Sequence, residues 1–133
     1  MSTTDSHRED TAAVKALVTG WAEAFSAPDV ESILACYSDD AVLLGTFCSE
    51  LRNKPEAIRA YFEPYFGMQL HRIEIENLFI QIYGETAVAS GFYKVLLVRE
   101  DKLEEAMARY SLTCLKKEDR WQIVNHHSSV VPQ

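Results

Sequence analysis

The side chains best suited to chemistry in this sequence lie toward its C-terminus. Arg109 stands inside an otherwise weakly polar stretch, Ala108-Arg109-Tyr110-Ser111-Leu112, where a guanidinium is suited to pair bidentately with a ligand carboxylate. The plainer reading is an exposed or structurally paired arginine. His126 and His127 are adjacent, and adjacent residues of a strand point to opposite faces, so the pair cannot readily hold one ion. No metal site is expected from them. One of the two faces inward, either as a hydrogen-bonded core histidine or as a proton carrier in a pocket. Trp21, Tyr37, Tyr61, Phe62, Phe66 and Tyr93 supply an aromatic wall of the kind small-ligand sites show. Core packing accounts for most of them equally well, but a buried phenol needs a partner, which singles out Tyr37 and Tyr93 as ligand contacts.

Other groups read as structural. Glu74 and Glu76 alternate with Ile73 and Ile75 beside Arg72, the pattern of a solvated strand face. Asp39 and Asp40 follow a helical segment and suit the turn into the next strand. Ser128 and Ser129 adjoin the histidines outside any nucleophile-elbow context, so no Ser/His/Asp or Cys/His set is formed. Cys36, Cys48 and Cys114 are odd in number, far apart and not in a CxxC pair. They read as free thiols in a reducing cytoplasm, and no cofactor is expected.

The elements that position these residues follow from periodicity. Residues 1–10 are polar and expected to be flexible, leaving 11–133 as one domain. From Thr11, the apolar residues Val14, Leu17, Val18, Trp21 and Phe25 mark one face of a helix. Val30, Ile33, Leu34 and Tyr37 repeat the spacing behind Asp29 as a short second helix. Ala41 to Leu44 and Phe47 to Leu51 read as brief strands. A third helix carries Ile58, Tyr61, Phe62, Tyr65 and Phe66, with Asn53 and Glu56 spaced as a capping box and Pro64 expected to bend or end it. Four long β-type segments follow: Leu70 to Tyr83, Thr86 to Arg99, Glu104 to Lys117 and Arg120 to Val131. In the first, Ile73 and Ile75 share one parity while Leu78, Ile80 and Ile82 share the other, which predicts a bulge and a bent, concave sheet.

Helices first and antiparallel strands after them do not wind into a parallel sheet. They predict an α+β fold, with the N-terminal helices packed in the concave face of a curved, mainly antiparallel sheet. Apolar residues on both faces of the second long segment imply a covered outer face, hence a homodimer through the sheet. If Glu118-Asp119 is a two-residue turn, Lys116 lies opposite Trp121 and Ser111 opposite His126, so Arg109 shares a face with His126. One extra loop residue reverses that.

Charge and hydropathy narrow the partners. At 133 residues, a net charge of -7 has the wrong sign for gripping phosphate backbones, so nucleic acid is not expected. No run of about 18 apolar residues spans a bilayer, and the polar N-terminus lacks a signal-peptide core, which points to a cytoplasmic protein without a membrane partner.

The segments LACYSDDAVLLGT, AMARYSLTCLKK and RWQIVNHHSSVVP resemble those of SgcJ/EcaC-type proteins of the nuclear transport factor two-like (SnoaL-like) superfamily. More distantly, they resemble the association domain of calcium/calmodulin-dependent protein kinase II. The resemblance implies a cone-shaped cavity, a homodimer or larger assembly, and often a bound small organic molecule or carboxylate. It does not imply one chemistry, since the superfamily hosts isomerases, cyclases, dehydratases and pure binders. The steroid isomerases of this superfamily place a general-base Asp and a Tyr donor where this chain has Gly45 and Trp21, so that mechanism lacks its base. The expected function is a homo-oligomeric domain binding a carboxylate or polyketide-like ligand through Arg109, His126 or His127, Tyr93, Tyr37, Trp21, Tyr61 and Phe62. The alternatives are a biosynthetic cyclase, isomerase or oxidoreductase accessory using a pocket His, and a pure oligomerisation module.

Overall fold

A computed structural model describes residues 3–133, with side chains from residue 6 onward. Helix α1 (Thr3–Phe25) begins well before Thr11, and residues 1 and 2 of the expected flexible segment lie outside the described residues. Thr11 bonds back to the His7 carbonyl, and Lys116 reaches Asp10 at 3.0 Å, so the polar start of the helix is tied to the sheet. Its apolar stripe, Val14, Val18, Trp21, Ala22 and Phe25, is buried, each large member contributing roughly 1.5–3 kcal/mol. The helix ends where His71 Nδ1–H donates to the Phe25 carbonyl at 2.6 Å, satisfying a carbonyl the last turn leaves without a partner. Pro28 follows two residues beyond Ser26 and keeps the chain from resuming it.

Helix α2 (Glu31–Leu34) is a single turn, with Asp29 Oδ1 accepting from the Glu31 N–H at 3.0 Å. Tyr37, grouped with this helix by periodicity, instead opens strand β1 (Tyr37–Leu44), which pairs with the two-residue β2 (Leu51–Arg52). Helix α3 (Pro55–Phe66) starts on Lys54 with no side-chain cap. The expected Asn53 box does not form, because Lys54 takes the N-cap position and Glu56 falls at the second helical position instead of the third that the box needs. Pro64 lies inside the last turn, and two more helical residues follow it.

The long first β segment divides into β3 (Leu70–Ile75) and β4 (Phe79–Tyr83). Both pair with the same edge of β5 (Thr86–Arg99), which runs antiparallel to β6 (Lys102–Lys117) along its whole length. The phase slip expected at Ile75 to Leu78 is thus a full break. It is held where the Asn77 carbonyl crosses Gly91: a Cβ there would lie 2.2 Å from that oxygen, so only glycine admits the crossing. Phe92 N–H donates to Asn77 Oδ1 at 2.7 Å and Tyr110 OH to the Asn77 carbonyl at 2.9 Å.

Strand β7 (Arg120–Val130) pairs antiparallel with β6 and parallel with β1, giving the order β2-β1-β7-β6-β5-β3 with β4 beside β5. The sheet is therefore mixed. Helix α1 lies on its inner face against β3, β4, β5 and β7, and α3 packs on β1. The core fills the space between them. This α+β architecture, helices over one face of a curved sheet, is the expected one.

Candidate functional site

The β6–β7 hairpin decides which late residues face the cone. Its turn is the expected two-residue one, with Lys116 opposite Trp121 and both Glu118 and Asp119 at positive φ. The register then shifts between Thr113 and Cys114, so that Thr113 pairs with Asn125 while Cys114 pairs with Ile123. Val124 is the extra residue of a bulge, and every later residue of β7 changes its opposite number. Ser111 faces His127 rather than His126, and Arg109 faces Ser129. The reversal expected of a longer loop is produced inside the strand.

Two of the anticipated site residues lie outside the cone, His127 because of this bulge and Arg109 because Ala108, Tyr110 and Leu112 take the buried parity of β6. Arg109 and His127 lie together on the outer face, exposed, around a shallow depression shared with Ser111 and Ser129. Arg109 Nε donates to Ser129 Oγ at 3.2 Å. His126 goes inward and is 2% exposed, so the expectation that one histidine faces the interior is met by this one.

The inner site is assembled from six elements. Helix α1 contributes Trp21 and Phe25, the segment after β1 contributes Thr46 and Phe47, and α3 contributes Tyr61, Phe62 and Tyr65. Strand β3 adds Ile73, β5 adds Tyr93 and Val95, and β7 adds His126. These enclose a cavity of about 20 Å³, room for roughly one water-sized group. Trp21 packs on Tyr93 at 5.4 Å and edge-on to His126 at 5.3 Å, while Tyr93 stacks on Tyr110 at 5.1 Å. Over Gly45 lies the Tyr61 ring, 2.5 Å from where a Cβ would stand.

Two hydrogen-bond systems meet at this cavity. In the first, Trp21 Nε1–H donates to Tyr37 Oη at 3.0 Å, and Tyr37 Oη lies 2.8 Å from His126 Nδ1. In the second, Thr46 Oγ1 joins Ser128 Oγ at 2.7 Å and Tyr93 Oη at 3.3 Å. Burial holds the Tyr93 phenol up at about 12, although its bonds to Ser128 and Thr46 oppose the rise. Burial likewise raises Tyr37, and Tyr61 is raised by burial and the neighbouring Tyr65. His126 is pushed down to about 3, first by burial and then by the charge of His127 behind it. Every titratable group in the site is thus neutral near pH 7.

Trp21, Tyr61, Phe62, Tyr93 and His126 are brought together at this cavity. Tyr37 stands behind His126 and lines a separate open cleft of about 490 Å³ between α2, α3 and the start of β1. Several site residues were not legible. Ser128 shares the parity of His126, a signal that was available, whereas Thr46 lies in a non-periodic segment that gives none. Among the described residues no group of three or more His, Cys, Asp or Glu side chains is arranged to hold a metal ion.

A family model described as the SnoaL-like domain matches residues 14–133, and the chain belongs to that family. A Xanthomonas campestris protein provisionally named a calcium/calmodulin dependent protein kinase II association domain is similar at 30% identity. It covers 90% of this chain and 86% of its own, with a TM-score of 0.83. Two Novosphingobium aromaticivorans structures share the fold. One, provisionally named an aromatic ring hydroxylase, has 22% identity, 94% and 91% coverage and a TM-score of 0.84. The other, provisionally named a scytalone dehydratase, has 12% identity, 98% and 89% coverage and a TM-score of 0.87. No curated protein matches the sequence.

Proposed function

We propose that this chain is a homodimeric small-molecule binding protein whose ligand, a polyketide-like or other flat aromatic molecule, occupies the cavity between helices and sheet. The observation that carries this reading is the wall itself: Trp21, Tyr61, Phe62 and Tyr93 surround buried hydroxyl and imidazole groups. An aromatic enclosure with a few convergent polar groups is what ligand sites require. Entry of a ring needs movement of the wall, and Phe47, 48% exposed, is the most exposed side chain of the lining. The three cysteines are free, which supports a reducing, cytoplasmic setting.

Binding is favoured over catalysis. No Asp or Glu lines the cavity, and the partner of His126 is a phenol rather than a carboxylate, so proton transfer at neutral pH lacks a second group. Similar structures are provisionally named dehydratases and an aromatic ring hydroxylase, but the lining of this cavity holds no paired acid and base. A carboxylate ligand is also disfavoured, because Arg109 is on the outer face and no Lys or Arg lines the cavity. A buried carboxylate without a partner is costly.

Trp21 reports on the cavity. In a Trp121→Phe variant it is the remaining tryptophan of the two, and its emission is expected to change saturably when acetophenone or ethylbenzene is added. Filling the space with Val95→Phe should abolish the response. No saturable change with either compound, or an equal change in the filled variant, would overturn the cavity as the binding site.

A further inference from the structure

His126 carries a buried polar atom that the hydrogen bonds described so far leave unused. Nε2 is inaccessible to solvent and has no hydrogen-bond partner among the described residues, in a residue 2% exposed that lines the cavity. A buried polar group without a partner costs roughly 1–3 kcal/mol, and natural sites retain such groups where something else satisfies them.

Which role this nitrogen plays follows from the chain of donors behind it. The indole Nε1 of Trp21 can only donate, so Tyr37 Oη is an acceptor on that side. The phenolic proton of Tyr37 then has one partner at hand, His126 Nδ1 at 2.8 Å. Nδ1 therefore accepts. A neutral imidazole that accepts at Nδ1 carries its proton at Nε2. Since Nδ1 is engaged by Tyr37, which does not line the cavity, Nε2 is the polar atom that His126 has left to offer the cavity it lines.

Resting on the binding reading above, we infer that the Trp21–Tyr37–His126 relay makes Nε2–H a fixed hydrogen-bond donor, selecting neutral ligands that present an acceptor, a ketone or quinone-type carbonyl oxygen. The surroundings fit this assignment. Besides Trp21, whose N–H is engaged by Tyr37, the other polar side chains of the lining are Tyr61, Tyr65, Tyr93 and Thr46, and none is charged at neutral pH. A carbonyl loses little on leaving water if it meets this donor, whereas a hydrocarbon of the same shape leaves the N–H unsatisfied. His126 is then a ligand-recognition residue, with Tyr37 and Trp21 as positioning residues acting through it.

The test uses three probes of similar size on the full chain: acetophenone, ethylbenzene and benzoate, titrated at pH 7 against Trp21 emission in the Trp121→Phe background. Acetophenone is expected to bind roughly tenfold more tightly than ethylbenzene, the factor one hydrogen bond supplies, and benzoate more weakly than either. In His126→Phe the preference should vanish while ethylbenzene still binds. Equal affinity for acetophenone and ethylbenzene in the unmodified site would overturn the donor assignment and leave the cavity reading standing, as would tighter binding of benzoate. Failure of all three to bind would remove the cavity reading and this inference with it. Nitrogen-15 spectra of the imidazole need no substitution at His126: a protonated Nε2 with a bare Nδ1 is expected, and the opposite tautomer would overturn the proposal.

Discussion

At the scale of single residues, His126 links the site to stability. Its folded pKa lies at about 3 against an ordinary value of 6.5, because burial and His127 both oppose a charge on it. Below pH 6.5 the unfolded chain takes up a proton that the folded chain refuses, so stability falls as pH is lowered from 6.5 toward 3 and is unaffected by this group above that window. The expected slope is about 1.4 kcal/mol per pH unit inside the window. Tyr37 and Tyr93 beside the ring stay uncharged there, since burial raises both phenols. Urea unfolding across this pH range should show the slope in the natural protein and lose this contribution in His126→Gln. An unchanged slope would mean that His126 is protonated in the fold. The histidine was legible as a candidate from sequence because one of two adjacent strand residues must point inward. Which one could not be read, because the answer depends on Val124.

At the scale of elements, the two hairpin turns flanking β6 are built against backbone preference. Glu100 and Asp101 have φ of 53° and 61°, and Glu118 and Asp119 have 51° and 62°. Left-handed backbone costs a residue with a Cβ roughly 1–2 kcal/mol, and two-residue hairpins favour Asn-Gly at these positions. Gln69 offsets part of the cost at the first turn, exchanging bonds of 2.7 and 2.8 Å with Asp101. The second turn has no such support beyond a 4.0 Å approach of Lys116 to the almost fully exposed Asp119, a contact worth little. Replacing Glu118-Asp119 by Asn-Gly should therefore stabilise the protein by about 1 kcal/mol, a rise of roughly 4 °C in Tm. Calorimetry would check it, and an unchanged or lower Tm would show that strain in this turn is relieved in another way. The helices and the four β segments were readable because burial on one face imposes a period on the sequence. The division of the first β segment was only partly readable: the phase slip showed that something breaks there, but the contact between Asn77 and Gly91 that fixes the break is a tertiary one.

At the scale of the whole molecule, the outer sheet face carries exposed apolar side chains among its polar ones. Phe79, Tyr83, Phe92, Leu103 and Met107 are all at least 36% exposed, and the register places them on the side away from the helices. Arg109 lies directly opposite Phe92 within this face, so it belongs to the face through which the proposed dimer would form and not to the cavity lining. Light scattering should give a mass twice the 15.1 kDa of the chain, and the Phe92→Glu, Met107→Glu double variant should be a monomer of unchanged fold. A natural protein that is already monomeric would remove the dimer from the proposed function. The sequence by itself determined the α+β class, the order of helices and strands, the aromatic supply of the cavity and the inward direction of one histidine, since each follows from period, parity or residue type. The tertiary structure alone decided the rest. One bulged residue in β7 turned His127 outward and His126 inward, the alternation of β6 kept Arg109 outside, and chain pairing across many residues brought Thr46, Ser128 and Tyr93 to one place. Local patterns carry no register, because a one-residue shift leaves every period intact while exchanging the two faces of the sheet.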